Sequence, residues 1–391
     1  MKHALNATDI KRTNQRLILD AIFKYGTTSR TQLAQALRLS KPAISDNLQP
    51  LLDLGIVTES GESNAGPSGG RKSILLQFNP QHRNIIAVNL NFSNPVFVLA
   101  DLNGNILNAF DITIAPGMPI AACSELVISG IRMLLQSLGT NQDRVSCIAV
   151  AAPGVFNSEG ELTAYSTSCG GPAWWKINLK ETLTDAFPHP VILYNDVKAA
   201  TLGEWERGAG EHKKDMFYIS VGLGIGSGVI LDGKPLLGKR CNAGEIYDYI
   251  DSSNVSCGTK LEDTICMEYL QEQCLRAPAS PFLHRDSVSF QEILLAYKAG
   301  DASVHRVVEG ICRRLAIITY NYINFISIDH VVFGGEYAPF VDCFAQQLSR
   351  LYPNSLWPAP EIRISALGKH AGIQGLVCLA REKYFRQICD L

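Results

Sequence analysis

The stretch Phe217-Tyr-Ile-Ser-Val-Gly-Leu-Gly-Ile-Gly-Ser-Gly-Val-Ile-Leu-Asp-Gly233 contains two apolar runs around a glycine-rich turn. We predict two strands, Phe217–Ser220 and Val229–Leu231, joined by the turn Gly222–Gly228. Glycines in such a turn let backbone N–H groups approach a phosphate, but a tight hairpin needs glycines as well. Taken alone, the turn leaves both a phosphate site and a purely structural role open.

The same pattern occurs earlier in the chain. Ile85–Leu90 and Val96–Ala100 flank a turn and lead into Asp101, and the interval from Asn89 to Asp101 equals that from Ser220 to Asp232. This repeat indicates a duplicated lobe. Further strand candidates are Val145–Ala151, Val191–Leu193 and His330–Phe333, and they alternate with helical stretches at 121–137, 197–208 and 303–324. The alternation predicts an α/β fold with a cleft between two lobes.

Composition and charge indicate a folded chain with two different parts. Hydrophobic residues make up 46% of the 391 residues and charged residues 18%, which excludes a disordered chain and favours more than one domain. Residues 1–86 carry 11 Lys and Arg against 6 Asp and Glu, a net charge of +5. The remainder carries 24 against 31, a net charge of −7. We therefore expect the two parts to meet different partners.

The cysteines and the N-terminus favour the cytoplasm. The 11 cysteines are odd in number and scattered from Cys123 to Cys389, unlike a disulfide framework. Met1-Lys2-His3 leads into a polar stretch without the apolar segment of a secretory leader, and we expect no run to reach the length of a membrane span. Reduced thiols in a cytoplasmic protein are the simplest account.

The basic N-terminal part predicts a winged helix-turn-helix. Residues 10–25 form an amphipathic helical pattern, Ser29-Arg-Thr-Gln32 has capping-box spacing before a second helix, and Ser40 caps a third helix with Pro42 in its first turn. The connection between the second and third helices is short, as in a helix-turn-helix. Strand-like runs at 55–60 and 71–78 around a Gly/Ser-rich tip complete a wing.

This domain suggests DNA binding. The residues that we assign to DNA contact are Ser40, Lys41, Ser45, Asn47, Arg71 and Lys72. We expect Lys41, Ser45 and Asn47 to be exposed on the third helix and to reach phosphates or base edges in the major groove. Arg71 and Lys72 at the wing suit phosphates or the adjacent minor groove. Winged helices also serve as protein-binding modules, but the helix spacing, caps, wing and charge together favour DNA.

Several loops of the large part are candidates for the cleft. Asn195-Asp196 ends a strand, where carboxylates of α/β folds face the cleft, but Asp196 could equally cap the helix that follows. Asn242-Ala-Gly244-Glu245 and Pro153-Gly154 are polar or turn segments suited to the same place. Trp174-Trp175 could stack on a sugar ring, although a tryptophan pair is more often core packing.

Together these motifs resemble the ROK family of repressors, open reading frames and kinases. More narrowly, the chain resembles the family's sugar-responsive transcriptional repressors, such as the xylose and N-acetylglucosamine repressors. The motifs that fall in family order are Gly69-Gly70-Arg71-Lys72, Pro153-Gly154, Tyr194-Asn195-Asp196, Ala199-Ala200, Leu202-Gly203-Glu204, Gly222–Gly228, Gly244-Glu245-Ile246 and Val332-Phe333-Gly334-Gly335. The resemblance implies an actin-like, ribonuclease-H-like fold of two lobes that close on a sugar, and a homodimer or homotetramer.

The chain departs from the family's kinases at the first phosphate loop, which reads Asp-x-Gly-Gly-Thr in those enzymes. Here the stretch is Asn89-Leu90-Asn91-Phe92-Ser93, without the acidic residue and both glycines. Asp196 stands at the position of the kinases' general base. Because a base without a phosphoryl-donor site cannot transfer phosphate, we expect no kinase activity and no catalytic residue.

The family's zinc motif is also degraded. The positions that correspond to its ligands are Asp248, Val255, Cys257 and Glu262. A closed zinc site usually needs four ligands, with thiolates and imidazoles predominating. We therefore expect no bound zinc and no other cofactor. Because the family's histidine also touches the sugar, Tyr247 and Asp248 alter the expected sugar preference.

We predict a cytoplasmic transcriptional regulator, most simply a repressor, whose affinity for a double-stranded DNA operator is set by a sugar or sugar phosphate. We assign residues 1–80 to the winged helix-turn-helix domain and residues 81–391 to the sugar-binding domain. Its lobes span about 81–205 plus the C-terminal helix 370–391, and about 206–369. The proposed sugar ligands are Asn195, Asp196 and Glu245, followed by Asn242 and Asp248. The alternatives are a sugar kinase with an appended winged helix and a DNA-binding protein that has lost its ligand.

Overall fold

The computed structural model describes residues 7–62, 73–90, 94–115, 117–165, 174–250, 259–277, 283, 286–353 and 355–390. The predicted positions Arg71, Lys72, Asn91, Phe92, Val255 and Cys257 lie outside these ranges, as does the side chain of Trp175.

The N-terminal domain is the predicted winged helix-turn-helix. Its elements are α1 Ala7–Tyr25, β1 Thr27–Ser29, α2 Arg30–Leu37, α3 Lys41–Asp53, β2 Val57–Glu62 and β3 Ile74–Phe78. The three strands form an antiparallel sheet in the order β1-β3-β2. Ser29 and Gln32 form the predicted capping box of α2, and Ser40 caps α3 with Pro42 in its first turn.

A five-stranded sheet forms the first lobe. Its elements are β4 Asn84–Asn89, β5 Val96–Asp101, β6 Ile106–Asp111, α4 Ile120–Ser137, β7 Val145–Ala152, β8 Val155–Phe156, β9 Leu162–Ala164, α5 Leu179–Ala186 and β10 Val191–Asn195. The strand order is β10-β7-β4-β5-β6, in which β7 runs parallel to β4 and β10 while β5 is antiparallel to its neighbours. The predicted domain division at residue 80 falls in the short helical turn Pro80–His82 before β4.

The second lobe repeats this sheet. Its strands are β11 Met216–Val221, β12 Ile225–Leu231, β13 Lys234–Pro235, β14 His330–Gly334 and β15 Glu361–Ile364, and its helices are α7 Met267–Arg276, α8 Phe290–Lys298, α9 Ala302–Ile326 and α10 Val341–Ser349. Two further helices, α6 Asp196–Arg207 and α11 Ala371–Cys389, pack against each other, with α6 on β12 of this sheet and α11 on β4 and β7 of the first sheet. The order β15-β14-β11-β12-β13 matches that of the first sheet strand for strand, with the same parallel and antiparallel pairs. The duplicated α/β lobe predicted from the repeat is confirmed.

Helices α6 and α11 pack against each other through glycines. A Cβ atom at Gly203 of α6 would overlap the backbone oxygen of Ala371, and a Cβ atom at Gly375 of α11 would overlap that of Ala199. Bare glycines thus bring the two helix backbones into direct contact, which a larger side chain at either position would prevent. A change in the position of one helix must therefore move the other.

The C-terminal half of α11 also carries the N-terminal domain. Phe23 of α1, Phe78 of β3 and Phe385 of α11 form an edge-to-face cluster with ring centroids 5.2–5.9 Å apart. The guanidinium of Arg16 donates to Glu382 of α11 at 2.7 Å and to Asp20 at 2.8 Å. The winged helix and the first lobe therefore share one continuous apolar core.

Helix α4 has a mean hydropathy of 1.3 over 18 residues, so among the described residues it is the single helix with the length and composition of a membrane span. The sequence-based expectation that no run would reach this length is wrong. Cys123, Val127 and Ile131 of α4 are nevertheless buried in the core of the first lobe, and Gly130 packs on the Phe97 ring of β5. A core helix meets the same criterion by length and composition.

Candidate functional site

A cavity of about 430 Å³ opens between the two sheets. It is lined by the end of β10, the first turn of α6, the turn between β11 and β12, and the segment leading into α11. Carboxyl ends of parallel strands meet at this place, where α/β folds collect their ligands. The volume lies in the range of small-molecule pockets.

Asn195 holds the β10–α6 junction in place. Its Oδ1 accepts the backbone N–H of Lys198 at 2.8 Å and so caps α6, while its Nδ2 donates to the backbone oxygen of Gly154 at 2.9 Å. The sequence left open whether Asp196 caps this helix. The cap is Asn195, and Asp196 is the first helical residue.

Asp196 lines the cavity floor and makes its own helix-end contact. Its Oδ1 accepts the backbone N–H of Val197 at 2.9 Å. Burial, reinforced by the negative charge of Glu245, raises the pKa of Asp196 to about 6, against the effect of the Val197 N–H and of Lys198. Near neutral pH the carboxylate is therefore ionised and can accept ligand hydroxyls, but it takes up a proton in mildly acidic solution.

Glu245 is tied to a buried lysine that sequence reasoning missed. Lys198 Nζ donates to Glu245 Oε1 at 2.7 Å and to the backbone oxygen of Cys241 at 2.5 Å, and the two side chains are 6% and 16% exposed. Lys198 lies two residues after Asp196 in the first turn of α6, where the sequence alone indicates a solvent-exposed side chain. Its pairing fixes Glu245 at the cavity wall and neutralises one carboxylate there.

Two glycines of the predicted loop serve packing. A Cβ atom at Gly226 would crowd Val197 Cγ2 at 2.6 Å, and one at Gly228 would overlap Thr201 Oγ1. Strand β12 can therefore lie directly on α6 only because these positions lack side chains. Gly222 and Gly224 at the tip of the hairpin line the cavity, and so does Gly226.

Two buried polar atoms face the same region without a partner in the described part of the chain. These are the indole Nε1 of Trp174, a residue 2% exposed, and the Oδ1 of Asn89. Both residues line the cavity. An unsatisfied donor and acceptor beside a carboxylate suit a polyhydroxylated ligand, because each hydroxyl both donates and accepts.

Asn242 and Asp248 were also predicted to bind the sugar, and the structure places both outside the cavity lining. Asn242 is exposed, and Asp248 Oδ1 pairs with Lys260 Nζ at 2.7 Å on the surface. Glu262, grouped in the sequence with the degraded zinc motif, is instead 2% exposed and lines the cavity. No group of three His, Cys, Asp or Glu side chains suited to a metal occurs among the described residues.

The recognition helix presents part of the predicted DNA surface. Ser40, Lys41 and Ser45 are exposed, with the Ser40 hydroxyl accepting the backbone N–H of Ala43 at 3.3 Å. The expected exposure of Asn47 is wrong, since it is 7% exposed and donates to the backbone oxygen of Ala43 at 2.8 Å. Asn47 shares the buried helix face of Ile44, Leu48 and Leu51, a spacing that could have revealed its burial.

Helix α11 runs from the cavity to the winged helix. Gly372 in its first turn lines the cavity, as do Gly368 and Lys369 just before it. Near its other end Arg381 pairs with Glu206 of α6 at 2.6 Å and stacks on the Phe23 ring of α1 at 4.2 Å. One helix thus contacts the cavity, α6 and the N-terminal domain.

Comparison with known proteins agrees with this architecture. The family model described as "ROK family" matches residues 86–383, and one described as "Winged helix-turn-helix DNA-binding" matches residues 11–58. The chain belongs to the ROK family. The resemblance seen in the sequence is confirmed.

Among curated relatives, the xylose repressor of Caldicellulosiruptor bescii is 22% identical over 390 residues, 96% of each chain. A solved ROK family transcriptional regulator, a homologue of the E. coli MLC protein, superposes with a TM-score of 0.80 at 22% identity over 97% of this chain and 98% of its own. A ROK glucokinase from Streptomyces griseus, solved with glucose and AMPPNP, has a TM-score of 0.62 at 20% identity over 76% of this chain and 99% of its own. The ROK fold therefore includes both repressors and kinases.

Proposed function

We propose that this ROK protein is a sugar-responsive transcriptional regulator, a repressor, that binds duplex DNA through its winged helix and a sugar in the cavity. The full-length similarity to a xylose repressor supports this function. Exposed Lys41 and Ser45 on α3 supply the DNA-facing groups, together with Arg71 and Lys72 predicted from the sequence. A protein that binds a DNA operator acts in the cytoplasm. We further propose a homodimer or homotetramer, because the two half-sites of a palindromic operator are matched by two-fold symmetry in the protein.

The observation that carries the proposal is the continuity of α11 between cavity and winged helix. A ligand shifts a conformational equilibrium only by its differential affinity for the two states. Closure of the lobes on a sugar moves α6, which begins at Asp196, and the glycine contacts pass that movement to α11. Arg381 and Phe385 then change the placement of the winged helix on α11.

The proposed sugar ligands are Asn195, Asp196 and Glu245, to which we add Trp174 and Glu262. Carboxylates and amides suit vicinal hydroxyls because one group can satisfy two polar atoms. Asn242 and Asp248 are left out of the site because they lie away from the cavity.

We also propose that the cavity does not catalyse phosphoryl transfer. Asn89, in place of the kinases' acidic residue, lines the cavity and packs against Gly372 of α11, where a Cβ atom would approach Asn89 Nδ2 at 2.9 Å. An amide at this place offers a metal–nucleotide complex no negative charge. Asp196 is left as a hydrogen-bond acceptor for the ligand.

The test uses a DNA duplex selected from a random library by the full-length protein, with binding followed by fluorescence anisotropy at fixed salt. A panel of monosaccharides is first screened by thermal shift, because a ligand that binds the native state raises its melting temperature. We expect a stabilising sugar also to change DNA affinity. Consumption of ATP with any sugar of the panel would assign the cavity to a kinase instead.

Matched variants separate the site from its surroundings. Asp196→Asn should remove the sugar response while DNA affinity without sugar stays the same. Asp248→Asn makes the same chemical change outside the cavity and should respond as the parent does. Equal loss in both variants, or in neither, would contradict the assignment of the cavity.

A further inference from the structure

At the tip of the β11–β12 hairpin, the backbone N–H groups of Gly222, Leu223 and Ile225 are occupied by the protein itself. The N–H of Gly222 donates to the backbone oxygen of Gly224 at 2.9 Å, and the N–H of Ile225 donates to Glu262 Oε1 at 3.4 Å. Between them, the N–H of Leu223 faces the carboxylate of Glu336. These are the groups through which a glycine-rich turn would hold a phosphate.

Glu336 is held at this position by the backbone around it. A Cβ atom at Gly222 would overlap Glu336 Oε2, so the carboxylate rests on the bare Cα of Gly222. Gly335, with a φ of +79°, turns the chain at the end of β14 so closely that a Cβ atom there would overlap the backbone oxygen of Val221. The N–H of Tyr337 donates to that same oxygen at 3.0 Å.

The cavity around this loop is acidic. Among the described residues, four carboxylate side chains line it, namely Asp196, Glu245, Glu262 and Glu336, and Lys369 is the one lysine in that lining. Lys198 is committed to Glu245. Glu336 keeps an exposed side chain at the cavity, where partial desolvation by the surrounding protein raises its pKa, while the N–H groups of Glu336 itself and of Leu223 oppose that shift by stabilising the charged form.

We propose that Glu336 is a built-in anion that fills the phosphate position of the glycine-rich turn, so that the cavity accepts uncharged sugars and rejects sugar phosphates and nucleotides. The choice of ligand rests on the proposed effector function, whereas the occupied turn does not. A phosphate entering here must displace one carboxylate from its donors and approach the others at close range. An uncharged sugar meets no such repulsion and finds acceptors for its hydroxyls.

The experiment measures binding by titration calorimetry to the full-length protein. The probes are D-glucose, D-xylose and N-acetyl-D-glucosamine, each beside its phosphate ester, and inorganic triphosphate. We expect the parent to bind one free sugar at least tenfold more tightly than its ester and not to bind triphosphate. Equal or tighter binding of an ester by the parent would overturn the proposal.

Two substitutions test the role of Glu336 itself. Glu336→Gln removes the charge at nearly constant shape, and it should reduce the ratio of free-sugar affinity to ester affinity by tenfold or more. Glu336→Gly removes the whole side chain and should create a site for inorganic triphosphate. Glu272→Gln, an equivalent change on the exposed face of α7, is the control and should bind as the parent does.

The outcomes distinguish the two proposals. Triphosphate binding by Glu336→Gly alone, without sugar binding by any variant, supports the built-in anion and contradicts the effector function. The reverse result is also informative. If Glu336→Gln binds sugar with an unchanged preference for the free sugar over its ester, and Glu336→Gly does not bind triphosphate, the effector function is supported and the internal anion is contradicted.

Discussion

At the residue scale, the proposed role of Asp196 as an acceptor of sugar hydroxyls predicts a pH dependence. Its pKa is raised to about 6, so the charged carboxylate is lost below that pH, and sugar affinity should fall about tenfold per pH unit there. The effect of pH on folding stability runs the other way. Because the pKa of Asp196 is higher in the native state than in the unfolded state, the free energy of unfolding rises as pH falls through 6. In calorimetry between pH 5 and 8, Asp196→Asn should bind the sugar only weakly and without this pH dependence. A parent profile that is already flat would contradict the role of this carboxylate.

Lys198 and Glu245 form a buried pair in which neither partner can be lost alone. Lys198→Met leaves Glu245 charged and 16% exposed without its partner, which should lower the free energy of unfolding by about 3–5 kcal/mol. Lys198→Met combined with Glu245→Leu should recover much of that loss. Lys214, which pairs with Asp232 on the surface, provides the control, and Lys214→Met should leave urea unfolding unchanged. Equal effects of the two lysine substitutions would contradict the buried pair.

The degraded zinc motif predicts a protein without structural zinc. Asp248 is already paired with Lys260, and Val255 offers no donor atom. One thiolate from Cys257 cannot close a tetrahedral site with carboxylates alone at ordinary affinity. Elemental analysis of protein purified without chelator should find less than a tenth of an equivalent, by rough expectation. Near-stoichiometric zinc that survives dialysis would show that other ligands replace the lost ones.

At the scale of elements, the α6–α11 contact should tolerate no added atoms. Gly375→Ala places a methyl group on the backbone oxygen of Ala199 and should lower stability by about 1–3 kcal/mol through overpacking. Gly310→Ala in α9 is the matched control, because the nearest atom to its Cβ is Arg314 Nη1 at 3.9 Å. That change should raise stability by roughly 0.5–1 kcal/mol through helix propensity. Urea unfolding of both variants measures the difference, and two stabilised proteins would mean that the helices can separate freely.

Local signals determined which elements could be predicted from sequence. The repeated strand pair and the caps of α2 and α3 depend on neighbours along the chain, so spacing alone revealed them. The short edge strand β15 carries no comparable pattern, and it forms because β14 provides an edge for it to pair with.

The candidate site was predicted only in part for the same reason. Asn195, Asp196 and Glu245 belong to motifs with a recognisable order, and all three line the cavity. Glu336 lies more than a hundred residues from the turn that its carboxylate contacts, and no local pattern joins them. Asp248 failed as a prediction of position, because alignment to a motif does not determine which way a surface turn faces.

At the scale of the whole molecule, the two parts differ in charge and share one core. The basic N-terminal domain suits the phosphates of DNA, and the acidic cavity lies in the part with a net charge of −7. Helix α11 contributes to both, because Phe385 and Glu382 hold α1 while Gly372 lines the cavity. The packed side chains of α11 are the route by which we propose that a shift in the lobes reaches the winged helix.

DNA binding should therefore depend on salt through the winged helix alone. Arg71→Ala, Lys72→Ala and Lys41→Ala should each weaken binding to all sequences and reduce the slope of log K against log salt by about 0.9 per lost phosphate contact. Lys298→Ala removes the same charge from exposed α8 in the second lobe and should leave the slope unchanged. If Lys298→Ala changed the slope as much as Lys41→Ala does, the DNA would have to lie across the lobes and not on the winged helix.

Two neutral substitutions on α3 separate base contact from helix stability. Ser45→Ala should relax the sequence preference without changing the slope, because a hydroxyl at a base edge carries no charge. Asn47→Ala should lower the stability of the N-terminal domain rather than its sequence selectivity, because the Asn47 side chain is buried and donates to the backbone oxygen of Ala43 in the same helix.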